Sequence, residues 1–412
     1  MIPVIRNSEG RQRVWLQAVL LMVCGVFLIV LSLFVFGEAR GIRPAPAPTA
    51  TSWPLEGEVD SPGYGINVHM WWDPWAAVRR DWPLIKDAGF SWVKQRVAWR
   101  DVEGAGPGIY EWAHLDRIVD EAGQAALSLI LRVDYPPYWA HRAASEEGPY
   151  LPVSPDAFGN FCSALASRYR GRVRGYQVWN EPNLAREWNG YAPNPEGYVQ
   201  LLRHCYAAIK AADSQALIIS AGLAPTGSSL PEAIPDTQYL VAMYEAGASP
   251  YFDLLGLNAP GYKAPPEMAP EVVADPDLGY GGQAFFCFRH VEQMRAIMED
   301  HGDAHKQVAL LEFGWHTNAS PDHPEYAWFA VTPEEQASYL VRAFEYARQH
   351  WSPWIGPMFV WNLPDSQWTP QDEEFWWGVV DPFWWGSAGD PSGWGGGELR
   401  PAYEALKEME KP

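Results

Sequence analysis

Basic charge is scarce in this chain. Its 412 residues hold 30 Lys and Arg against 50 Asp and Glu, a formal net charge of −20. A nucleic-acid binder needs Lys and Arg to neutralise phosphates, so this balance argues against a polyanionic partner and reads as a solubilising surface. Cysteine is nearly as sparse. Cys24, Cys162, Cys205 and Cys287 have no metal-ligand spacing, and four in so long a chain make no disulfide framework. Buried free thiols are the expected state, with a Cys162–Cys205 bridge between two apolar helix faces as the alternative. Three further features are missing. The His residues are scattered without ligand spacing, no Gly-rich phosphate loop follows the first apolar run, and no internal repeat is visible. The scattered His make a metal centre unexpected, the missing phosphate loop argues against an open doubly wound sheet, and no cofactor is expected.

Hydrophobic material is abundant at 48%, enough for a large core, and the 23 Trp are far above ordinary usage. Flat aromatic faces make platforms for sugar rings, so the excess leans towards carbohydrate. Val14 to Phe36 is an uncharged run long enough to span a bilayer core of about 30 Å as a helix. Arg6, Arg11 and Arg13 precede it, which by the positive-inside tendency keeps residues 1–13 cytoplasmic and exports the rest. The expected organisation is a tail over residues 1–13, a transmembrane anchor over 14–37, a Pro-stiffened linker over 38–62 and a soluble domain over 63–412. Gly37 and Ala39 could form a cleavage site, so secretion after signal removal is the alternative.

From about Gly63, short apolar runs alternate with helical periodicity, the signature of a parallel α/β sheet. The strand candidates are Gly65–Met70, Trp92–Val97, Leu127–Val133, Arg174–Trp179, Leu217–Ala221, Leu254–Leu257, Val308–Leu311 and Pro357–Trp361. Helix starts lie between them: Ser154-Pro155 and Asn194-Pro195 each set a capping oxygen before a first-turn Pro. Thr332-Pro333-Glu334-Glu335 adds a capping box. Eight such units predict a (β/α)8 barrel with enlarged loops, in which active groups come from the carboxyl ends of several strands. Those ends are polar or aromatic here: His69, Arg96, Asp134 with Tyr135, Asn180 with Glu181, Asn258, Glu312, and Trp361 with Asn362.

Two of these are acids in otherwise apolar surroundings. Glu181 lies in Val178-Trp179-Asn180-Glu181-Pro182-Asn183 and Glu312 in Leu311-Glu312-Phe313-Gly314-Trp315. The fourth and seventh strands of a barrel lie across the ring, so the two carboxyls can face each other over one pocket. That is the minimum equipment for glycoside hydrolysis: one carboxyl protonates the leaving oxygen and the other attacks the anomeric carbon. A strand-end salt bridge between Glu312 and Arg96 is the structural alternative for Glu312.

Trp-Asn-Glu-Pro on strand four, with a Glu closing strand seven, resembles the clan A glycoside hydrolases, retaining (β/α)8 enzymes. Within the clan the local contexts resemble families 39 and 5 most, and the similarity runs from about Gly63 to Lys407. The resemblance implies Glu181 as general acid/base and Glu312 as nucleophile. It implies Asn180 as a hydrogen-bond partner of the sugar 2-hydroxyl, Arg96 as the cation holding Glu312, and Trp361 as the floor of the sugar site. His69 and Tyr262 are implied as further polar contacts. Leu257-Asn258-Ala259-Pro260-Gly261-Tyr262 departs from family 5, which carries His-x-Tyr there. The implied activity is cleavage of β-linked oligo- or polysaccharide by double displacement, endo-acting. An exo-acting β-glycosidase, a surface transglycosylase and a catalytically silent carbohydrate-binding barrel are the alternatives.

Overall fold

The structure, a computed structural model, describes residues 59–74, 77–141, 153–382 and 399–411. The expected membrane span, Cys24, most of the linker, and Trp384, Trp385 and Trp394 lie outside the described residues. Among the described residues no helix is long and apolar enough to cross a membrane.

Eight parallel strands form the sheet: β1 (Gly63–Val68), β2 (Trp92–Ala98), β3 (Ser128–Asp134), β4 (Gly175–Val178), β5 (Leu217–Ile219), β6 (Leu255–Pro260), β7 (Val308–Gly314) and β8 (Ile355–Val360). The order runs β5-β4-β3-β2-β1-β8-β7-β6, and β1 pairs in parallel with both β2 and β8. Single parallel bridges, Ile219 to Leu254 and Leu223 to Leu257, close the ring between β5 and β6. A helix follows each strand: α1 (Trp82–Asp87), α2 (Ala113–Gln124), α3 (Pro155–Arg168), α4 (Pro195–Ala212), α5 (Asp236–Glu245), α6 (His290–Asp300), α7 (Pro333–His350) and α8 (Pro401–Glu408). This is the (β/α)8 barrel expected from the alternation.

The caps form as the sequence dictates. Ser154 accepts from the Ala157 N–H and Asn194 from the Gly197 N–H, and Thr332 with Glu335 makes the reciprocal box. Period-2 alternation then separates two cores. Inward residues Trp92, Ile130, Ile219, Ala309, Leu311 and Phe359 fill the barrel interior, together with Val59. Outward residues such as Val93, Leu129, Tyr176, Val178, Leu310 and Phe313 pack against the helices. Gln307 seals the lower end, bonding both the N–H and the carbonyl of Val59.

One register break decides where Glu312 points. Leu257 pairs with Leu310, but the next residue, Asn258, pairs with Glu312, so β7 carries an extra residue at Leu311. Strict alternation would turn Glu312 outward against the helices. The bulge makes Leu311 and Glu312 both face inward, which re-aims the carboxyl into the barrel mouth. Asn67 in β1 donates to the Leu311 carbonyl at 3.0 Å and to that of Val360 at 3.2 Å, holding the bulge from inside.

Free thiols are not what α3 and α4 carry. Cys162 and Cys205 are joined in a disulfide with Cα atoms 5.4 Å apart, while Cys287 is a buried free thiol. Each Cys sits on the buried face of its helix, and the packing of α3 on α4 brings the two together.

Candidate active site

At the carboxyl ends of the strands lies a cavity of about 790 Å³. All seven residues singled out from the sequence line it: His69, Arg96, Asn180, Glu181, Tyr262, Glu312 and Trp361.

Glu181 leaves β4 on a turn with left-handed backbone at Trp179 (φ 71°) and at Glu181 itself (φ 37°), conformations that cost a non-Gly residue energy and must be held. Two backbone bonds hold it. The Glu181 N–H donates to the Gly222 carbonyl at 3.0 Å, and its carbonyl accepts from Leu184 N–H at 2.9 Å. Trp179 is stacked on Trp188 behind the turn.

A single amide joins the two acids. Asn258 Nδ2 donates to Glu181 Oε1 at 3.0 Å and to Glu312 Oε2 at 3.5 Å. The amide has two N–H groups, and because both oxygens lie within hydrogen-bond reach of one nitrogen the two carboxyls come close together across the cavity. Gly222 permits this arrangement, because a Cβ there would meet Asn258 Oδ1 at 2.2 Å.

The remaining partners differ between the two carboxyls. Glu312 Oε1 lies 3.2 Å from Lys94 Nζ and 3.1 Å from Arg132 Nη1, both buried cations. A negative charge sunk this deep needs such pairing. Arg132 also pairs with Asp134 at 2.7 Å. Arg96 is therefore not the cation that holds Glu312. Lys94 and Arg132 both reach the carboxyl, whereas Arg96, in register with Arg132 and one inward position beyond Lys94, sets its guanidinium over the Tyr135 ring. Glu181 instead pairs through Oε2 with the exposed Arg186.

Burial pushes Lys94 down to about 8, against the pull of Glu312. Burial and the neighbouring Glu181 push the Glu187 carboxyl, a third acid on the cavity wall, up to about 8. Burial, reinforced by Arg96, Arg132 and Lys94, holds His69 well below its ordinary value, so its ring is neutral. His69 Nε2 is buried without a protein partner, and the ring packs on Trp361 and Trp368. Asn180 Oδ1 accepts from Gln177 Nε2 at 3.3 Å, which leaves its own N–H groups for the cavity. The Tyr262 hydroxyl donates to the Pro225 carbonyl at 3.4 Å, while its ring joins an aromatic wall with Phe286, Trp328 and Phe329.

No protein-family model matches the sequence, and neither does any curated protein. Solved structures do. A family 39 glycoside hydrolase from the gut symbiont Bacteroides cellulosilyticus superposes with a TM-score of 0.56 at 20% identity, over 84% of this chain. This chain spans 62% of that protein's length. A family 39 β-xylosidase from Caulobacter crescentus gives 0.54 at 16% identity, over 86% of this chain and 72% of the other. A family 5 enzyme from Streptomyces cattleya, solved with GlcNAc, gives 0.56 at 14% identity, over 85% and 80%. The shared feature is the barrel.

Strand-end position in the sequence does not single out Lys94, Arg132, Arg186 or Glu187, and marks Asn258 only as a polar strand end. A signal for the first two is present: a cation at an inward position of a barrel strand must have an anionic partner inside the barrel. Glu187 and Arg186 follow the Glu181 turn in a short helical segment, Ala185–Trp188, where acids and bases are ordinarily surface groups. Among the described residues, no cluster of three or more His, Cys, Asp or Glu is placed to hold a metal ion.

Proposed function

We propose that this chain is a retaining glycosidase that cleaves β-linked oligo- or polysaccharide by double displacement. Glu312 is the nucleophile and Glu181 the general acid/base. The observation that carries the reading is the Asn258 bridge. With both carboxyls bonded to one nitrogen, at 3.0 and 3.5 Å, their facing oxygens are close, which favours the spacing of about 5–5.5 Å used for covalent displacement over the roughly 6.5–9.5 Å that leaves room for a water.

In the first half-reaction, protonated Glu181 gives its proton to the leaving oxygen while Glu312 attacks the anomeric carbon. In the second, ionised Glu181 takes a proton from water, which releases the sugar from Glu312. The ion pair with Arg186 belongs to that ionised, general-base form. Lys94 and Arg132 compensate the charge that Glu312 carries before attack and regains on release. Asn180 offers its amide to the 2-hydroxyl, Trp361 and Trp368 supply stacking faces, and His69 Nε2 and the wall that includes Tyr262 border the sugar. Arg96 contacts substrate rather than Glu312. The cavity exceeds what one sugar ring needs, the exposed Trp72 lines it, and the exposed Trp328 packs behind Tyr262, which supports an endo-acting enzyme on a longer chain. Barrels of the same fold include one named a β-xylosidase and one named an exo-β-1,4-mannosidase, and a third named a family 10 endoxylanase. We place the catalytic part outside the cytoplasm, tethered by residues 14–37 or released by cleavage. The Cys162–Cys205 disulfide fits an oxidising compartment.

The test is proton NMR of the first-formed anomer together with two variants. Retention is expected, Glu312→Gln should abolish turnover, and Glu181→Gln should lower kcat/KM by roughly 10²–10⁴-fold on substrates with poor leaving groups. An inverted product, or undiminished turnover by Glu312→Gln, would sink the mechanism.

A further inference from the structure

Both oxygens of Glu181 have donors from within the protein. Oε1 accepts from Asn258 Nδ2 at 3.0 Å, and Oε2 accepts from the Arg186 guanidinium. A general acid must turn one oxygen towards the leaving group, so one of these donors has to give way. The two are held very differently. Asn258 is buried, bonds Glu312 as well, and fills the space over Gly222. The Arg186 side chain is 70% exposed, whereas the Glu181 side chain that it covers is only 12% exposed. A pair with one partner this exposed is weak, and an exposed side chain changes rotamer within nanoseconds. Arg186 is therefore the donor that moves, and Oε2 is the oxygen that faces the leaving group.

The movement is confined to the side chain. Ala185–Trp188, the short helical segment that carries Arg186, is fixed at both ends. The Ala185 N–H donates to the Glu232 carbonyl at 2.8 Å. Trp188 Nε1 donates to the Pro182 carbonyl at 2.7 Å while its ring stacks on Trp179. Glu187, 3.7 Å from Arg186 Nε, and Glu373 in the loop after β8 stay within electrostatic reach of a displaced guanidinium.

The consequence differs between small and large acceptors. Once Glu312 carries the sugar, Glu181 is ionised and Arg186 pairs with Oε2. A carboxylate oxygen has two lone pairs, so a water, one oxygen atom wide, reaches the second of them beside the guanidinium. A sugar hydroxyl brings its ring with it and has to push Arg186 aside. With either acceptor the O–H proton passes to Glu181, the oxygen bonds the anomeric carbon, and the ester electron pair returns to Glu312. We propose that Arg186 favours water over sugar at the glycosyl-enzyme stage, and so makes the chain a hydrolase rather than a transglycosylase. This rests on the glycosidase reading and deepens it. Arg186 acts through Glu181, as a positioning residue that sets acceptor specificity.

The experiment uses the full-length chain, a panel of 4-nitrophenyl β-glycosides (glucoside, xyloside, mannoside and galactoside) as donors, and methanol or xylobiose as the competing acceptor. The ratio of transfer product to free sugar reports how one intermediate is divided, whatever the rate at which it forms. In Arg186→Ala the transfer ratio to xylobiose should rise roughly 2–10-fold, the range of a partly exposed charge-assisted pair. The ratio to methanol, an acceptor little larger than water, should stay within about 2-fold, a contrast between acceptors that general loosening of the site would not produce. Arg186→Lys keeps a compact cation at the same place and should fall between the two. An unchanged xylobiose ratio, or equal rises for methanol and xylobiose, would overturn the inference and leave the glycosidase reading in place. Failure of the unaltered protein to release 4-nitrophenol from any donor defeats the glycosidase reading and this inference with it.

Discussion

At the scale of single residues, the cavity contains two groups that titrate in the same window with opposite sense. As pH rises through about 8, Lys94 loses its positive charge beside Glu312, Arg132 and Asp134. Over the same range Glu187 becomes anionic beside Glu181, Asp134, Arg132 and Arg186. Each step makes the cavity more negative, so kcat/KM should fall above pH about 8. Replacing Glu187 with Gln should move that alkaline limb upward, while Lys94→Gln should depress activity at every pH and flatten the limb; unchanged profiles in both would refute the assignment. Stability follows from linkage. Between about 4.5 and 8 the folded chain keeps a proton on Glu187 that the unfolded chain has released, so this group lowers stability as pH rises through that range. Glu187→Gln should remove that loss, worth on the order of a few kcal/mol at pH 8–9. Lys94 works the other way, adding stability as pH climbs from about 8 towards 10.5, where its unfolded form deprotonates.

At the scale of elements, the site depends on three short pieces of backbone: the bulge in β7, the left-handed turn after β4, and the β5 end at Gly222. The bulge faces Glu312 inward, the turn presents Glu181, and Gly222 leaves room for the amide that joins them. Gly222→Ala places a methyl 2.2 Å from Asn258 Oδ1 and 2.8 Å from its Cγ, so the Asn258 side chain has to swing away. The expected result is a stability loss of about 1–3 kcal/mol from overpacking and a larger loss in kcat than in KM, matching Asn258→Ala. Steady-state kinetics of the two variants beside thermal melts would show whether the bridge, rather than general loosening, carries the effect.

At the scale of the whole molecule, a closed barrel with ordinary helix packing leaves few places where a cross-link adds much. The Cys162–Cys205 disulfide is one, since it closes a 43-residue separation between adjacent helices. Removing it with Cys162→Ser and Cys205→Ser should cost about 2–4 kcal/mol, chiefly by freeing the unfolded chain, and the melting temperature of the unaltered protein should drop to a similar value in reductant. A melt insensitive to reductant would contradict this. The same bond accords with the proposed location outside the cytoplasm.

The barrel, its eight strands, the helix caps and the pair Glu181 and Glu312 were legible in the amino-acid order, because strand and helix periods, capping oxygens and lone acids in apolar runs are local signals. Three other features were not. Glu312 is bound by Lys94 and Arg132, residues 218 and 180 positions away, and which cation reaches it depended on contacts across the barrel rather than on strand-end position. The Cys pairing required knowing that α3 packs on α4. The Asn258 bridge needed the β7 bulge, a one-residue irregularity with no composition of its own. Periodicity within an element belongs to the sequence, whereas contacts between elements are settled only when the ring closes, since closure decides which side chains meet at the same height of the barrel.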